Sequence, residues 1–369
     1  MEERNRFDNS FEILRLVAAS AVLFSHSYAL YGLPEPQPVS GRAVGGLAVG
    51  VFFAISGFLV AQSWDRDPDL KRFTYRRALR ILPGLFVAVS FTTLVIGPLM
   101  TMVPLAAYFR SAETWGYLFS NASLVMGQDT LPGVFEENVY PREVNGSLWT
   151  LRYEFLVYAF LASLGLCAKR STLPWMCLIT FLVFVVGWCI CQKLGFTTLQ
   201  LPLPVVWRIG FEIDWMQLSF LGAFFFGGSL LYFFASSVRL SGWVATLLCA
   251  ACAMATSPFV VTLLLWISIP YAVVTLAYRA PVLFRRLGKQ SDVSYGIYIY
   301  AFPVQQSVAS FAVPAGAGWI ASLTVTSIVT FLLAALSWRY IERPALALKR
   351  HLFPRRADTT AKSSVDTPS

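Results

Sequence analysis

The sequence predicts an all-α membrane protein, a polytopic bundle of about ten transmembrane helices with both termini cytoplasmic, and three observations predict it. Of 369 residues, 56% are hydrophobic and only 13% are charged, about half the charged share of a soluble domain. The apolar residues gather in blocks of about 17 to 25, each long enough to cross roughly 30 Å of hydrocarbon as a helix. The Lys and Arg residues sit between the blocks, not in stripes among exposed aromatics. The net charge of +9 therefore reads as an orientation signal, and nucleic acid is excluded as a partner.

In chain order the predicted spans are 11–31, 44–64, 82–104, 147–167, 174–192, 215–235, 240–256, 258–278, 294–313 and 317–338. The first block keeps Glu12 and Arg15 and has no convincing cleavage site before Pro34, so it is read as a span and not a signal peptide. Residues 105–146 form the longest outward loop and 193–214 the second. With the N-terminus inside, only Arg42, Arg110, Arg142, Arg152, Lys193 and Arg208 of the 29 Lys and Arg fall outside, which supports the orientation. Residues 1–348 are expected to form one integral membrane domain, and 349–369 a basic, then polar, disordered tail. The six cysteines lie in or at the ends of apolar blocks and the chain has two histidines, so neither a disulfide framework nor a metal site is expected.

Ionisable residues inside spans are costly and mark candidate chemistry. His26 is the one histidine within a span. Arg15 precedes it by 11 residues, only about 20° from three full turns, so both project from one face about 16 Å apart along the axis. Arg76, Arg77 and Arg80 in RRALRILP precede the third span at helical i, i+3 and i, i+4 spacing, where their guanidiniums converge on a polyanion if the segment is helical. Glu154 lies about as deep from the outer end of its span as His26 does in its own, a placement in which its carboxylate orients the ring and stabilises the imidazolium. Pairing of Glu154 with Arg152 is the alternative, but i and i+2 face apart on a helix. Ser56 and Gly57 sit near mid-membrane, where small residues let helices approach closely. Glu342 and Arg343 are read as anchors of the last span at the inner boundary.

Six motifs then occur in order: LRLVAASAVLFSHS, GVFFAISGFLVA, RRALRILP, SLWTLRYEFLVY, SYGIYIYAFPVQQ and WRYIERPAL. Together they resemble the acyltransferase-3 family of integral membrane O-acyltransferases over almost the whole chain. The resemblance implies transfer of an acyl group, usually acetyl from cytoplasmic acetyl-CoA, to a hydroxyl of an extracytoplasmic carbohydrate. His26 is similar to the family's essential histidine and Arg15 to its partner arginine. Arg77 and Arg80 match its cytoplasmic arginine pair, and Ser56 and Gly57 its SGFL segment. The chain departs from many members at Gly50, where they carry Asp, and at Ala301, where they carry a second His, so a mechanism needing two membrane histidines is excluded. Any second transfer step is expected to need a separate protein.

The expectation is that Arg15, Arg76, Arg77 and Arg80 hold acyl-CoA, a cosubstrate and not a resident cofactor. His26, with Glu154 beside it, acts as general base or as a transient acyl carrier, and Ser56 and Gly57 line the pocket. The partners expected are acyl-CoA, a carbohydrate acceptor, the lipid bilayer of a bacterial inner membrane and proteins of polysaccharide synthesis. A sugar or glycan transporter or flippase is the rival reading, although a transport site is expected at the midplane on broken helices.

Overall fold

The computed structural model describes residues 10–124, 127–195, 198–199, 213–281 and 292–352. Each of the ten apolar blocks forms a helix. These are α1 (Phe11–Leu30), α2 (Val44–Arg66) and α3 (Leu70–Phe91), then, after the short α4 (Leu105–Arg110) and α5 (Ala112–Ser123), α6 (Trp149–Cys167), α7 (Leu173–Leu194), α8 (Trp215–Phe233), α9 (Gly242–Met254), α10 (Pro258–Arg279), α11 (Ser294–Ala312) and α12 (Trp319–Ser337). Among the described residues the only strands are Thr198–Leu199 and Ile213–Asp214, an antiparallel pair in the second predicted loop. The protein is therefore all-α and polytopic. Among the described residues, eight helices are long and apolar enough to cross a bilayer. The thirteen residues of α9 span about 20 Å, short of the roughly 30 Å core. Helix α11 has the length, but it carries Ser, Tyr and Gln where the others carry aliphatic residues, because Ser294 and every residue from Gly296 to Gln306 are buried in protein.

Three boundaries differ from expectation. Helix α3 begins at Leu70 and not at 82, because Asp69 caps it by accepting from the Arg72 backbone N–H at 2.8 Å. The arginine-rich segment is thus helical. The stretch 105–146, expected as a loop, folds into a cap with Tyr108, Tyr117, Val134 and Val144 fully buried. The Tyr108 hydroxyl donates to the Thr93 carbonyl at 2.8 Å and ties the cap to α3. The helix at the C-terminal end of the described chain runs through Leu352, past the boundary drawn at 348, and residues 353–369 lie outside the described residues.

Prolines explain the irregular turns. Helix α3 continues through a π-helical turn, Thr92–Ile96, into Gly97–Met100, and α12 through Trp338–Glu342 into Arg343–Leu352. Pro98 and Pro344 each follow their π turn by two residues. A proline lacks the N–H that would bond four residues back and its ring crowds that carbonyl, so the helix widens there. In α11, Pro303 deprives the Ile299 carbonyl of its helical donor, and the Asn145 amide fills the vacancy at 2.9 Å.

The tightest packing joins α2 to α8. A Cβ built on Gly57 would fall 1.8 Å from the Phe225 carbonyl oxygen, and one on Gly228 2.1 Å from that of Ala54. Only glycine admits this approach, and the Ser229 hydroxyl seals it by donating to the Gly57 carbonyl at 3.0 Å. Val17, Leu99, Trp243 and Ile320 are exposed on outer faces, as a lipid-facing surface requires.

Candidate active site

Five helices build a buried, positively charged pocket. Helix α1 supplies Arg15, α2 Ser56, α3 Arg77 and Arg80, and α6 Glu154 and Tyr158, with Tyr295 and Tyr298 of α11 closing one wall. On α3, Arg77 and Arg80 are i and i+3 and share a face. On α6, Thr150, Glu154 and Tyr158 recur every four residues and do the same. The cavity is about 80 Å³, far below the roughly 300 Å³ of a small-molecule site, so it admits the charged groups of a ligand but not a whole nucleotide.

Charges in the pocket are unevenly matched. Arg80 donates to Asp292, and Arg15 approaches the same carboxylate oxygen at 3.6 Å. The other oxygen of Asp292 accepts from the Ser294 hydroxyl at 2.6 Å. Burial alone would raise the Asp292 carboxyl, but the Arg80 and Arg15 guanidiniums and that hydroxyl outweigh it and hold the group below the usual carboxylate range. Glu154 accepts from Ser56 at 2.8 Å and from the Tyr158 hydroxyl. Arg77 makes no ion pair among the described residues. Its Nε is buried without an acceptor and its guanidinium lies 5.8 Å from the Tyr158 ring centroid. A desolvated guanidinium without an acceptor is costly, and an anion entering the pocket removes that cost.

The sequence-predicted residues divide. Arg15, Arg77, Arg80 and Ser56 meet in this pocket. Arg76 does not, because its Nη2 is taken by Asp67 and its Nε donates to the Arg72 carbonyl at 3.0 Å. Gly57 faces the α8 backbone and is a packing position. Glu154 is not beside His26: its carboxylate is held by Ser56 and Tyr158 in the arginine pocket, and no hydrogen bond or ion pair joins it to the imidazole among the described residues. Equal depth in two spans fixed neither helix's rotation, which tertiary packing decides. Arg152 pairs with no acid among the described residues either; its guanidinium lies against Gly127.

His26 stands about 16 Å from Arg15 along α1, on the side of that helix opposite the exposed Val17. Its ring packs nearly perpendicular to the Phe302 ring, with the centroids 5.1 Å apart. Its Nδ1 is buried with no partner, while the residue as a whole remains partly accessible. Tyr295, Tyr298, Phe302 and Gln305 form one stripe on α11, within about 80° of arc, that joins the arginine pocket to this end. Nearby, Glu143 has its Oε1 2.8 Å from where a Gly146 Cβ would sit, at the same separation as the Phe302 ring. Burial, with Asp129 in range, pushes the Glu143 carboxyl up.

Sequence reasoning missed Asp292 and Tyr158. Tyr158 was legible from its i+4 spacing to Glu154. Asp292 was not, since only folding brings the chain ahead of α11 against α1 and α3. Glu342, expected at a boundary, is 2% exposed, accepts from Ser337 at 2.9 Å and leaves its other oxygen buried without a donor. The departures also have a physical basis. A Cβ at Gly50 would meet the Phe224 ring at 3.1 Å, and Ala301 is buried among Ala19, Leu23 and Ala334. A larger cavity of about 410 Å³ opens on the far side of α2, but its charged lining is already paired, Arg170 to Asp65 at 2.7 Å with Tyr232 on the same carboxylate.

Comparison with known proteins bears on the family. The Acyltransferase domain model matches residues 8–339. An O-acetyl transferase of Shigella phage Sf6 is 30% identical over 91% of this chain and 95% of its own. Nodulation protein 10 of Rhizobium leguminosarum bv. viciae is 28% identical over 94% and 96%, and a regulator of hypoxia-inducible factor 1 from Caenorhabditis elegans is 28% identical over 51% and 41%. No solved structure matches. With the motifs in order, the family model across nearly the whole chain and a multi-pass helical bundle around one arginine pocket, the chain belongs to the acyltransferase-3 family and is an integral membrane O-acyltransferase.

Proposed function

We propose that the protein moves an acetyl group from cytoplasmic acetyl-CoA to a hydroxyl of an extracytoplasmic carbohydrate in a bacterial inner membrane. The observation that carries this reading is Arg77, a guanidinium that has no acid partner among the described residues, beside Arg15 and Arg80, which share one carboxylate. Such a pocket favours a ligand with several phosphate charges. The name of the phage relative, an O-acetyl transferase, supports acetyl as the group moved.

The phosphates sit at Arg15, Arg77 and Arg80, at the end of the bundle where α1 begins, and the donor's flexible arm carries the thioester along the α11 stripe toward His26. There the imidazole takes the proton of the acceptor hydroxyl, and the alkoxide attacks the thioester carbonyl. The C–S bond breaks and the thiolate leaves with the proton returned by the imidazolium. Partial accessibility of His26, with Nδ1 turned inward, favours Nε2 as the working nitrogen. The test is thiol release from acetyl-CoA by the purified protein in the presence of cell-surface polysaccharide. Wild-type protein is expected to release thiol in step with acetyl incorporation, and His26→Ala to do neither; incorporation that persists in His26→Ala contradicts the reading.

A further inference from the structure

Among the described residues His26 has no acidic partner of the kind its chemistry calls for. A histidine acting as base through one ring nitrogen must carry its proton on the other, and a hydrogen-bond acceptor there holds the tautomer and the ring orientation. Nδ1 is the inward nitrogen, buried and unpartnered, and Glu154 is committed elsewhere.

On the adjoining face of α11, Gln305 is 4% exposed and its Oε1 is also buried without a partner. Its amide orientation is fixed from the other end, because Nε2 donates to the Leu23 carbonyl at 2.9 Å. Leu23 precedes His26 by one turn of α1, and Phe302, whose ring contacts His26, precedes Gln305 by one turn of α11. Two orphaned groups of matching polarity, one able to carry a proton and one able only to accept, thus stand on facing stretches of α1 and α11 that the Leu23–Gln305 hydrogen bond and the His26–Phe302 ring contact hold together. Buried polar atoms in native structures rarely stay unpaired, and catalytic hydrogen bonds that are open in a free enzyme close in the reacting complex.

We infer that Gln305 is the positioning residue of His26: its side-chain carbonyl accepts from Nδ1–H, which leaves the Nε2 lone pair to face the acceptor hydroxyl. The inference rests on the proposed role of His26 and assigns the partner that the sequence had placed at Glu154. Gln305 touches no substrate in this scheme and acts only through the imidazole.

The experiment uses membranes of cells carrying the full chain, radiolabelled acetyl-CoA as donor and the cells' own surface polysaccharide as acceptor. Gln305→Leu is expected to lower the maximal rate per unit protein by at least about tenfold while the donor KM stays within about twofold, a split that loss of the arginine pocket would not produce. Gln305→Glu keeps an acceptor at the same reach and is expected to retain more activity than Gln305→Leu at equal abundance. Should Gln305→Leu accumulate poorly, Gln305→Met, of similar length, reads the same loss. Full activity in the Leu or Met variant beside an inactive His26→Ala overturns this inference alone, as does an equal loss in the Glu and Leu variants. An active His26→Ala overturns the underlying functional reading and this inference with it.

Discussion

At the scale of single residues, the arginines make the sharpest forecast. Charge-assisted hydrogen bonds are worth roughly 1.5–3 kcal/mol each, so Arg77→Ala and Arg80→Ala are each expected to raise the acetyl-CoA KM by about tenfold or more. Arg76→Ala, whose guanidinium is already bound to Asp67, is expected to stay within about twofold of wild type; steady-state kinetics on the three variants separates them. Asp292 yields a pH-dependent outcome. A carboxyl held below its unfolded value adds stability above about pH 4 that is lost as the pH falls toward its depressed folded value. Asp292→Asn is therefore expected to cost about 3 kcal/mol at pH 7, and the gap in thermal midpoint between wild type and variant narrows as the pH drops below about 4. The shared face of Arg15 and His26 was legible because both lie on one helix, where angle follows from spacing. The partner of Glu154 was not, because it depends on how α2 and α6 are rotated against each other.

Helices were the most legible elements, since an apolar block long enough to cross a bilayer has no other way to satisfy its backbone. Their irregularities needed the structure. The π turns of α3 and α12 follow from Pro98 and Pro344, but the sequence alone does not say whether a proline widens a helix or ends it. Asn145 reads as an ordinary loop residue until Pro303 is seen to strand the Ile299 carbonyl that it bonds. Asn145→Ala is expected to leave that carbonyl unsatisfied and cost about 1–3 kcal/mol, measured as a lower thermal midpoint in detergent. Gly57→Ala is expected to force α2 from α8 and lower membrane abundance, since overpacking costs about 1–3 kcal/mol even where the neighbour is a side chain and here it is the Phe225 backbone.

The whole molecule has two chemically distinct ends joined by one helix face. Arg15, Arg77 and Arg80 mark one end, His26 with Phe302 and Gln305 the other, and the aromatic stripe of α11 connects them. This asymmetry fits a group carried between compartments better than a site placed at the midplane. The most direct test is the O-acetyl content of surface polysaccharide from cells carrying either wild-type protein or His26→Ala at equal membrane abundance. O-acetyl groups present with the wild type and absent with the variant are the predicted result; an unchanged acetyl content with His26→Ala would contradict it.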